Sequence, residues 1–482
     1  MQRLSNANMS NFKLLLVCTL VTALGGISFS AEKTPPKVQV VAGGRTFRLS
    51  DGKGFSPFGV TYYRPGTGWA PQVWKQFEPE ATAKDFARMK QLGVNCVRVF
   101  LSYGSFYSEP GKLDPQGLAK FDKFLEIAQS TGIYVHPTGP DHWEGPPTWQ
   151  TVTIDDEQTL RALESFWKLF AARYRGRNVI FAYDLKNEPE VGWDSEGLRQ
   201  KWNTWLQRKY GALDTVLGMW RTTNKLEWGA VAVPNDKDAL KSHELLDYQA
   251  FREEIADTWT RRQVDAIKSV DPDALVTVGL IQWSVPSLLP GSIRYYSGFR
   301  AERQAKFLDF LEIHFYPFAN GAYEYRNEAD EEANLAYLEG VVREVARPGK
   351  PVVLAEFGWY GGGKPNFDKG VHPAVPQEQQ AKYCRHVVEV SSQYVTGWLN
   401  WGFYDQPEAT DCSQLTGLMT FDGNLKAWGK TFAALSAHPP TMDQSKTPVR
   451  PTLDWASCLT STASAKEFRQ QYLASFLNTL TR

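Results

Sequence analysis

Two stretches decide the fold: Tyr183-Asp184-Leu185-Lys186-Asn187-Glu188-Pro189 and Val352-Val353-Leu354-Ala355-Glu356-Phe357-Gly358-Trp359. In each, a short apolar run ends in a carboxylate. Counting the apolar runs that contain or resemble them gives eight strand candidates: 56–62, 96–101, 133–138, 180–185, 275–280, 310–315, 352–357 and 397–401. Between them lie amphipathic segments of helical spacing at 82–92, 118–131, 158–174, 243–270, 330–346 and 376–394. Strands covered on both faces read as near-continuous apolar runs, and strands that alternate with helices pair in parallel. An open doubly wound sheet would produce the same local pattern. Polar and aromatic residues crowd the ends of runs far apart in sequence, which favours an α/β closed (β/α)8 TIM barrel, where such ends converge on one site.

Working outward, residues 38–49 alternate and turn at Gly43-Gly44, which predicts a short N-terminal hairpin. The barrel is expected over 55–437, after a leader and hairpin at 31–54. An insertion at about 190–242 contains its own helix near 195–210, and 438–482 forms a C-terminal extension with a Pro-rich start and a helix around 465–480. At the N-terminus, Arg3 and Lys13 precede an apolar run at 14–27 and the small-residue stretch Ser28-Phe29-Ser30-Ala31. This pattern predicts a signal peptide over 1–30, hence a secreted or periplasmic chain with no membrane span once it is removed.

Lys plus Arg (53) equals Asp plus Glu (53), so no net field favours nucleic acid or an anionic membrane, and an uncharged partner is expected. Aromatic residues reach 13%, with 17 Trp, and flat indole faces suit the apolar faces of sugar rings, so a carbohydrate partner fits the composition, as does a Trp-rich core. Beyond the leader, Cys96, Cys384, Cys412 and Cys458 are too scattered for a disulfide framework. Cys96 reads as a buried thiol, and one bridge between Cys412 and Cys458 is conceivable in an oxidising compartment. The 7 His show no ligand-spaced pair at strand ends, so neither a metal nor a cofactor is expected.

Any one glutamate at a loop could be a helix cap, but two that end two apolar strands point to paired carboxylate chemistry. Carboxylates about 5 to 5.5 Å apart suit a double displacement at a glycosidic bond, one attacking and the other shuttling the proton. Arg98, on the second run, could hold Glu356 ionised, or form a structural ion pair. His314 and Tyr316 end the sixth run, where the tyrosine hydroxyl could orient Glu356; Trp401 ends the eighth and could floor a sugar. Trp69, Trp143, Trp193, Trp283 and Trp359 also follow strand ends and could line further subsites or simply pack.

The elements Asn187-Glu188-Pro189, Leu354-Ala355-Glu356-Phe357-Gly358-Trp359, His314-Phe315-Tyr316 and Trp398-Leu399-Asn400-Trp401 resemble glycoside hydrolase clan A, family 5 in particular, over roughly 55–434. The resemblance implies a retaining β-glycosidase with Glu188 as acid/base and Glu356 as nucleophile. It also implies that Asn187 binds the sugar 2-hydroxyl, that Arg98 and Tyr316 position Glu356, and that His314 and Trp401 line the subsite of the cleaved sugar. A histidine soon after the third strand belongs to the pattern; His142 is slightly late for it and His136 too early, so His142 is the expected substrate-binding residue. The segment 209–214 with Trp220 resembles an insertion of family 42 β-galactosidases, so an exo-acting β-galactosidase or β-mannosidase, a transglycosylase and a non-catalytic sugar binder stand beside a polysaccharide-cleaving enzyme.

Overall fold

The computed structural model describes residues 34–67, 72–142, 144–150, 153–234, 243–285, 296–319, 322–323, 327–366, 372–443 and 447–480. The segment expected to be a signal peptide, Trp69, Trp143 and the end of the insertion lie outside these residues. Eight parallel strands close into a barrel: β1 (Phe58–Thr61), β2 (Cys96–Ser102), β3 (Tyr134–Asp141), β4 (Tyr183–Asn187), β5 (Val276–Ile281), β6 (Leu311–Phe315), β7 (Val352–Phe357) and β8 (Gly397–Asn400). Each pairs with the next, and β8 pairs with β1. All eight predicted runs are strands, and the closed ring excludes the open-sheet alternative.

Helices cover the outside, and their ends are set locally. Asp114 caps helix Pro115–Thr131 by accepting from the backbone N–H groups of Gln116 and Gly117, and Gly132 closes it at φ 69°. Asp156 and Asn327 cap helices Glu157–Tyr174 and Glu328–Ala346 in the same way. The predicted hairpin is present as Val38–Val40 paired with Phe47–Leu49, and a third short strand, Gly54–Phe55, extends it. Phe47 packs 5.3 Å from Phe181 and 5.2 Å from Phe310, and Phe55 packs 5.0 Å from Tyr134. This small sheet therefore plugs the barrel at the N-terminal ends of its strands.

Strand side chains alternate between faces, so every second residue points into the barrel. Cys96, Tyr134, Ala182 and Phe310 join the plug, forming an apolar floor. Two residues further along each strand stand Arg98, His136, Asp184 and Glu312, all fully buried. Barrel interiors are usually filled by branched apolar side chains; here the middle layer is charged. Its members are paired: His136 bonds Glu312 and, at 2.8 Å, the Ala182 carbonyl, while Arg98 bonds Asp184. The next layer is the barrel mouth.

The C-terminal extension is part of the same compact unit. Helix Thr462–Leu480 lays Phe468, Tyr472 and Phe476 into the core and packs along helix Glu328–Ala346. Buried Glu339 on that helix accepts from Arg450 Nε (2.5 Å) and Nη2 (2.9 Å) and from the Tyr472 hydroxyl (2.9 Å). Removing one member of a buried pair leaves the other charge uncompensated, at about 3 to 5 kcal/mol. Glu339→Ala is expected to lower the unfolding free energy by about 3 kcal/mol in urea titration; a loss below about 1 kcal/mol would mean that the clasp contributes little.

The suggested Cys412–Cys458 bridge is not formed. Both are free thiols, as are Cys96 and Cys384. Cys412 follows β8 at the barrel mouth, whereas Cys458 lies on helix Trp455–Thr460, which packs against helix Glu244–Lys268. Cys96 is buried, as expected.

Candidate active site

Local irregularities in β4 and β7 aim the two glutamates. In β7, Val352, Leu354 and Phe357 face the helices while Val353 and Ala355 face the barrel interior. The pairing with β6 slips between Leu354 and Glu356, so two consecutive residues escape the helix-facing side and Glu356 turns toward the mouth. In β4 the register slips between Asp184 and Asn187, and Glu188 follows at φ 46°, a left-handed conformation that costs a non-glycine residue about 1 kcal/mol or more. The Glu188 N–H donates to the Gly279 carbonyl of β5 at 2.9 Å, which holds this conformation.

The two carboxylates meet at His314. Its Nδ1 lies 2.9 Å from Glu188 Oε1 and 3.6 Å from Glu356 Oε1, and one oxygen of each glutamate lies within 4.8 Å of the other. Arg98 Nη1 donates to Glu356 Oε1, and the Tyr316 hydroxyl donates to Glu356 Oε2 at 3.1 Å. Arg98 Nη2 also donates to Asn187 Oδ1 at 2.9 Å. Arg98, Asn187, Glu188, His314, Tyr316 and Glu356 are thus one bonded cluster drawn from β2, β4, β6 and β7.

The electrostatics separate the pair. Burial pushes Glu188 up to about 8; Arg98 opposes this, while Glu190 and Asp141 add to it. Burial also raises Glu356, against the pull of His314 and Arg98. Glu356 accepts from a guanidinium and a phenol, both of which favour the charged form, whereas Glu188 has an imidazole partner that burial keeps neutral. A neutral ring nitrogen can accept from a protonated Glu188 or donate to an ionised one, according to tautomer. The two carboxylates thus differ in their partners: Glu356 faces a guanidinium and a phenol, Glu188 an imidazole.

The remaining expected residues fall around this cluster. Trp401 is nearly buried; its Nε1 donates to Ser413 Oγ at 2.7 Å, and its ring packs on Tyr63 and Phe100. β3 runs three residues beyond the predicted end, so His142 follows it directly, half exposed at the rim and 2.7 Å from Asp141 Oδ1. Against the burial that would raise it, Lys186 and His142 hold Asp141 down to about 2. His136 belongs to the charged layer below. Of the tryptophans, Trp359 is buried beside Tyr360 and His372. Trp193 is packing too: its Nε1 donates to Pro234 O and the Arg252 guanidinium lies 4.7 Å over its ring. Trp283 is half buried at the mouth and donates to Glu190.

Asp184 was not singled out by sequence. Its Oδ2 accepts from Arg98 Nη2 (2.9 Å), Arg98 Nε (3.3 Å) and Thr138 Oγ1 (2.9 Å), and its Oδ1 from the Gly279 N–H (2.8 Å). Gly279 permits this approach, because a Cβ there would stand 3.0 Å from the His314 ring and 3.1 Å from Asp184. The available signal was a lone acid inside an apolar run, which burial allows only when paired. Asp184 shares Arg98 with Glu356 and fixes the guanidinium. Asp184→Asn should lower kcat about 10- to 100-fold with KM nearly unchanged. Loss of a negative charge beside Arg98 should also lower the Glu356 pKa and move the acid limb of the pH profile to lower pH. A pure stability defect would leave that limb in place.

Although no ligand-spaced pair stands out in the sequence, the barrel assembles two triads of metal-type side chains among the described residues, His136-Asp184-Glu312 and Glu188-His314-Glu356. Sequence spacing could not reveal them, because each draws on several strands. Their atoms are mostly engaged by protein donors: Asp184 by Arg98, Thr138 and Gly279, Glu312 by His136, and Glu356 by Arg98 and Tyr316.

With this geometry in hand, comparison with known proteins is informative. Over 139 residues, 26% of this chain and 32% of that protein, the chain is 30% identical to a glucan 1,3-β-glucosidase of Candida oleophila. The match thus spans about a third of that relative's length. Among solved structures, a variant of GH5_18 from Streptomyces cattleya in complex with Manβ1-4GlcNAc superposes with TM-score 0.58 and 18% identity, over 87% of this chain and 92% of that one. A β-galactosidase from Rahnella sp. R3 superposes with TM-score 0.65 and 15% identity, over 90% of this chain and 64% of that one. These likenesses establish a shared fold. The family model described as cellulase (glycosyl hydrolase family 5) matches residues 50–406, most of the chain and all eight barrel strands. The chain belongs to glycosyl hydrolase family 5, a family of glycoside-cleaving enzymes.

Proposed function

We propose that this protein is a retaining β-glycoside hydrolase acting on uncharged β-linked saccharides by double displacement. The carrying observation is the approach of Glu188 and Glu356, with oxygens within 4.8 Å. Retention needs a separation of about 5 to 5.5 Å, whereas inversion needs about 6.5 to 9.5 Å to seat a water. Glu356 attacks the anomeric carbon while Glu188 passes its proton to the leaving oxygen. Glu188, then ionised, takes a proton from water, which cleaves the glycosyl ester. Arg98 and Tyr316 hold the nucleophile charged and aimed, Asn187 is placed for the 2-hydroxyl, Trp401 offers an apolar floor, and His142 serves at the rim.

The substrate class rests on the balanced charge of the chain and on relatives whose names concern β-linked neutral sugars. The test is proton NMR of the first product formed from β-linked mannan, glucan, xylan and galactan oligosaccharides. A β-anomer appearing first is expected; an α-anomer appearing first would sink the mechanism. The basic, apolar and small-residue pattern of the first 30 residues supports export, and terminal sequencing of the mature chain should find a start close to Ala31.

A further inference from the structure

Next to Glu188 stands a second carboxylate that the chemistry above does not use. Glu190 is exposed as a residue, yet burial raises its pKa, and its charge in turn raises that of Glu188. The Glu190 carboxylate thus combines solvent access with partial cover by protein. It accepts a hydrogen bond from Trp283 Nε1.

Both partners are held from behind. The neighbouring Val191 carbonyl accepts from buried Arg252, and the Trp193 carbonyl accepts from the Tyr248 hydroxyl, so the chain after Glu188 is fixed on helix Glu244–Lys268. Trp283 lies in a short turn after β5, whose first residue, Gln282, donates to the Tyr316 carbonyl and accepts from the Tyr316 N–H. The indole and the carboxylate are thus tied to the two elements that carry Glu188 and Tyr316.

Their place on the rim gives them a direction. In the closed order, β4 and β5 lie across the barrel from β8 and β1, so Trp283 and Trp401 occupy opposite sides of the mouth. The sugar attacked by Glu356 takes the Trp401 side. The leaving oxygen meets Glu188, and whatever it carries extends toward β5. We infer that Glu190 and Trp283 form a subsite for the leaving sugar, a neutral pyranose that lays an apolar face on the indole and donates hydroxyls to the carboxylate. An ionised carboxylate accepts about four hydrogen bonds, so the bond from Trp283 leaves capacity for a pair of sugar hydroxyls. The inference rests on the glycosidase reading and adds a determinant of leaving-group choice.

The test compares a β-linked disaccharide with the glycosyl fluoride of the same terminal sugar, which reacts without a second ring. For Glu190→Ala and Trp283→Ala, the disaccharide-to-fluoride ratio of kcat/KM should fall about tenfold, mainly through KM of the disaccharide, the scale of one charge-assisted contact. The double variant should lose less than the product of the two single losses, because the residues act as one unit. Glu190→Gln and Trp283→Phe repeat the measurement with gentler changes and should lower the ratio about threefold. Equal losses on both substrates, or an unchanged ratio, would overturn the subsite. Wild-type protein inert to every glycosyl fluoride would instead remove the glycosidase reading, and the subsite with it.

Discussion

Glu356→Ala is expected to lower turnover of β-glycosides by at least about 10⁴-fold, because it removes the covalent route of the proposed double displacement. The fold should survive: Arg98 loses one carboxylate but keeps Asp184 and Asn187 as acceptors. The vacated space adjoins Tyr316 and His314 and is lined by donors suited to an anion. Azide should therefore enter and attack the anomeric carbon of an activated aryl β-glycoside directly. Such a single displacement gives the α-glycosyl azide without a glycosyl ester, and the aryl leaving group departs with little need of the Glu188 proton. Rescue yielding the β-azide would place the nucleophile elsewhere, and full activity without azide would dismiss Glu356 altogether.

The barrel could be read from sequence because each strand is buried on both faces, which leaves a compact apolar run whatever its neighbours do. Glu188 and Glu356 could be read because a charge that closes such a run is costly unless used or paired. The bulge before Glu356 and the left-handed turn at Glu188 could not, since they depend on register with β6, about 40 residues away in sequence, or on a carbonyl of β5. Of the charged layer, one inward residue on each of four strands, Arg98 was read from sequence, but apolar-run reasoning treats Asp184 and Glu312 as interruptions. His136 was excluded from the mouth on its position alone; the structure supplies the reason, one layer of depth and a bond to Glu312. The five tryptophans were indistinguishable in sequence because packing and platform roles differ only in what covers the ring. The structure buries Trp359, ties down Trp193 and leaves Trp283 at the mouth.

Glu188→Gln should affect substrates unequally, which distinguishes proton transfer from binding. General acid catalysis contributes about 10² to 10⁴ where the leaving oxygen is a sugar alkoxide, and far less where it is a nitrophenolate. Natural disaccharides should lose about 10³-fold, while the glycosylation step with a dinitrophenyl glycoside loses less than about tenfold. Equal losses on both would count against the acid assignment. The pH profile supplies an independent check. Burial holds the Glu188 proton up to about 8, so kcat/KM for wild-type protein should decline as pH rises through about 8. In Glu188→Gln acting on the activated substrate, that alkaline decline should vanish. Stability follows the same sign: a folded-state pKa above the unfolded value stabilises at low pH, and that contribution is lost as pH rises through the folded value. Wild-type protein at pH 9 therefore carries a buried, disfavoured charge that glutamine lacks, and the variant should melt above it there, with the gap closing toward pH 5. A gap of the opposite sign would mean that the Glu188 carboxylate is stabilised in its ionised form, and the proton would have to come from another group.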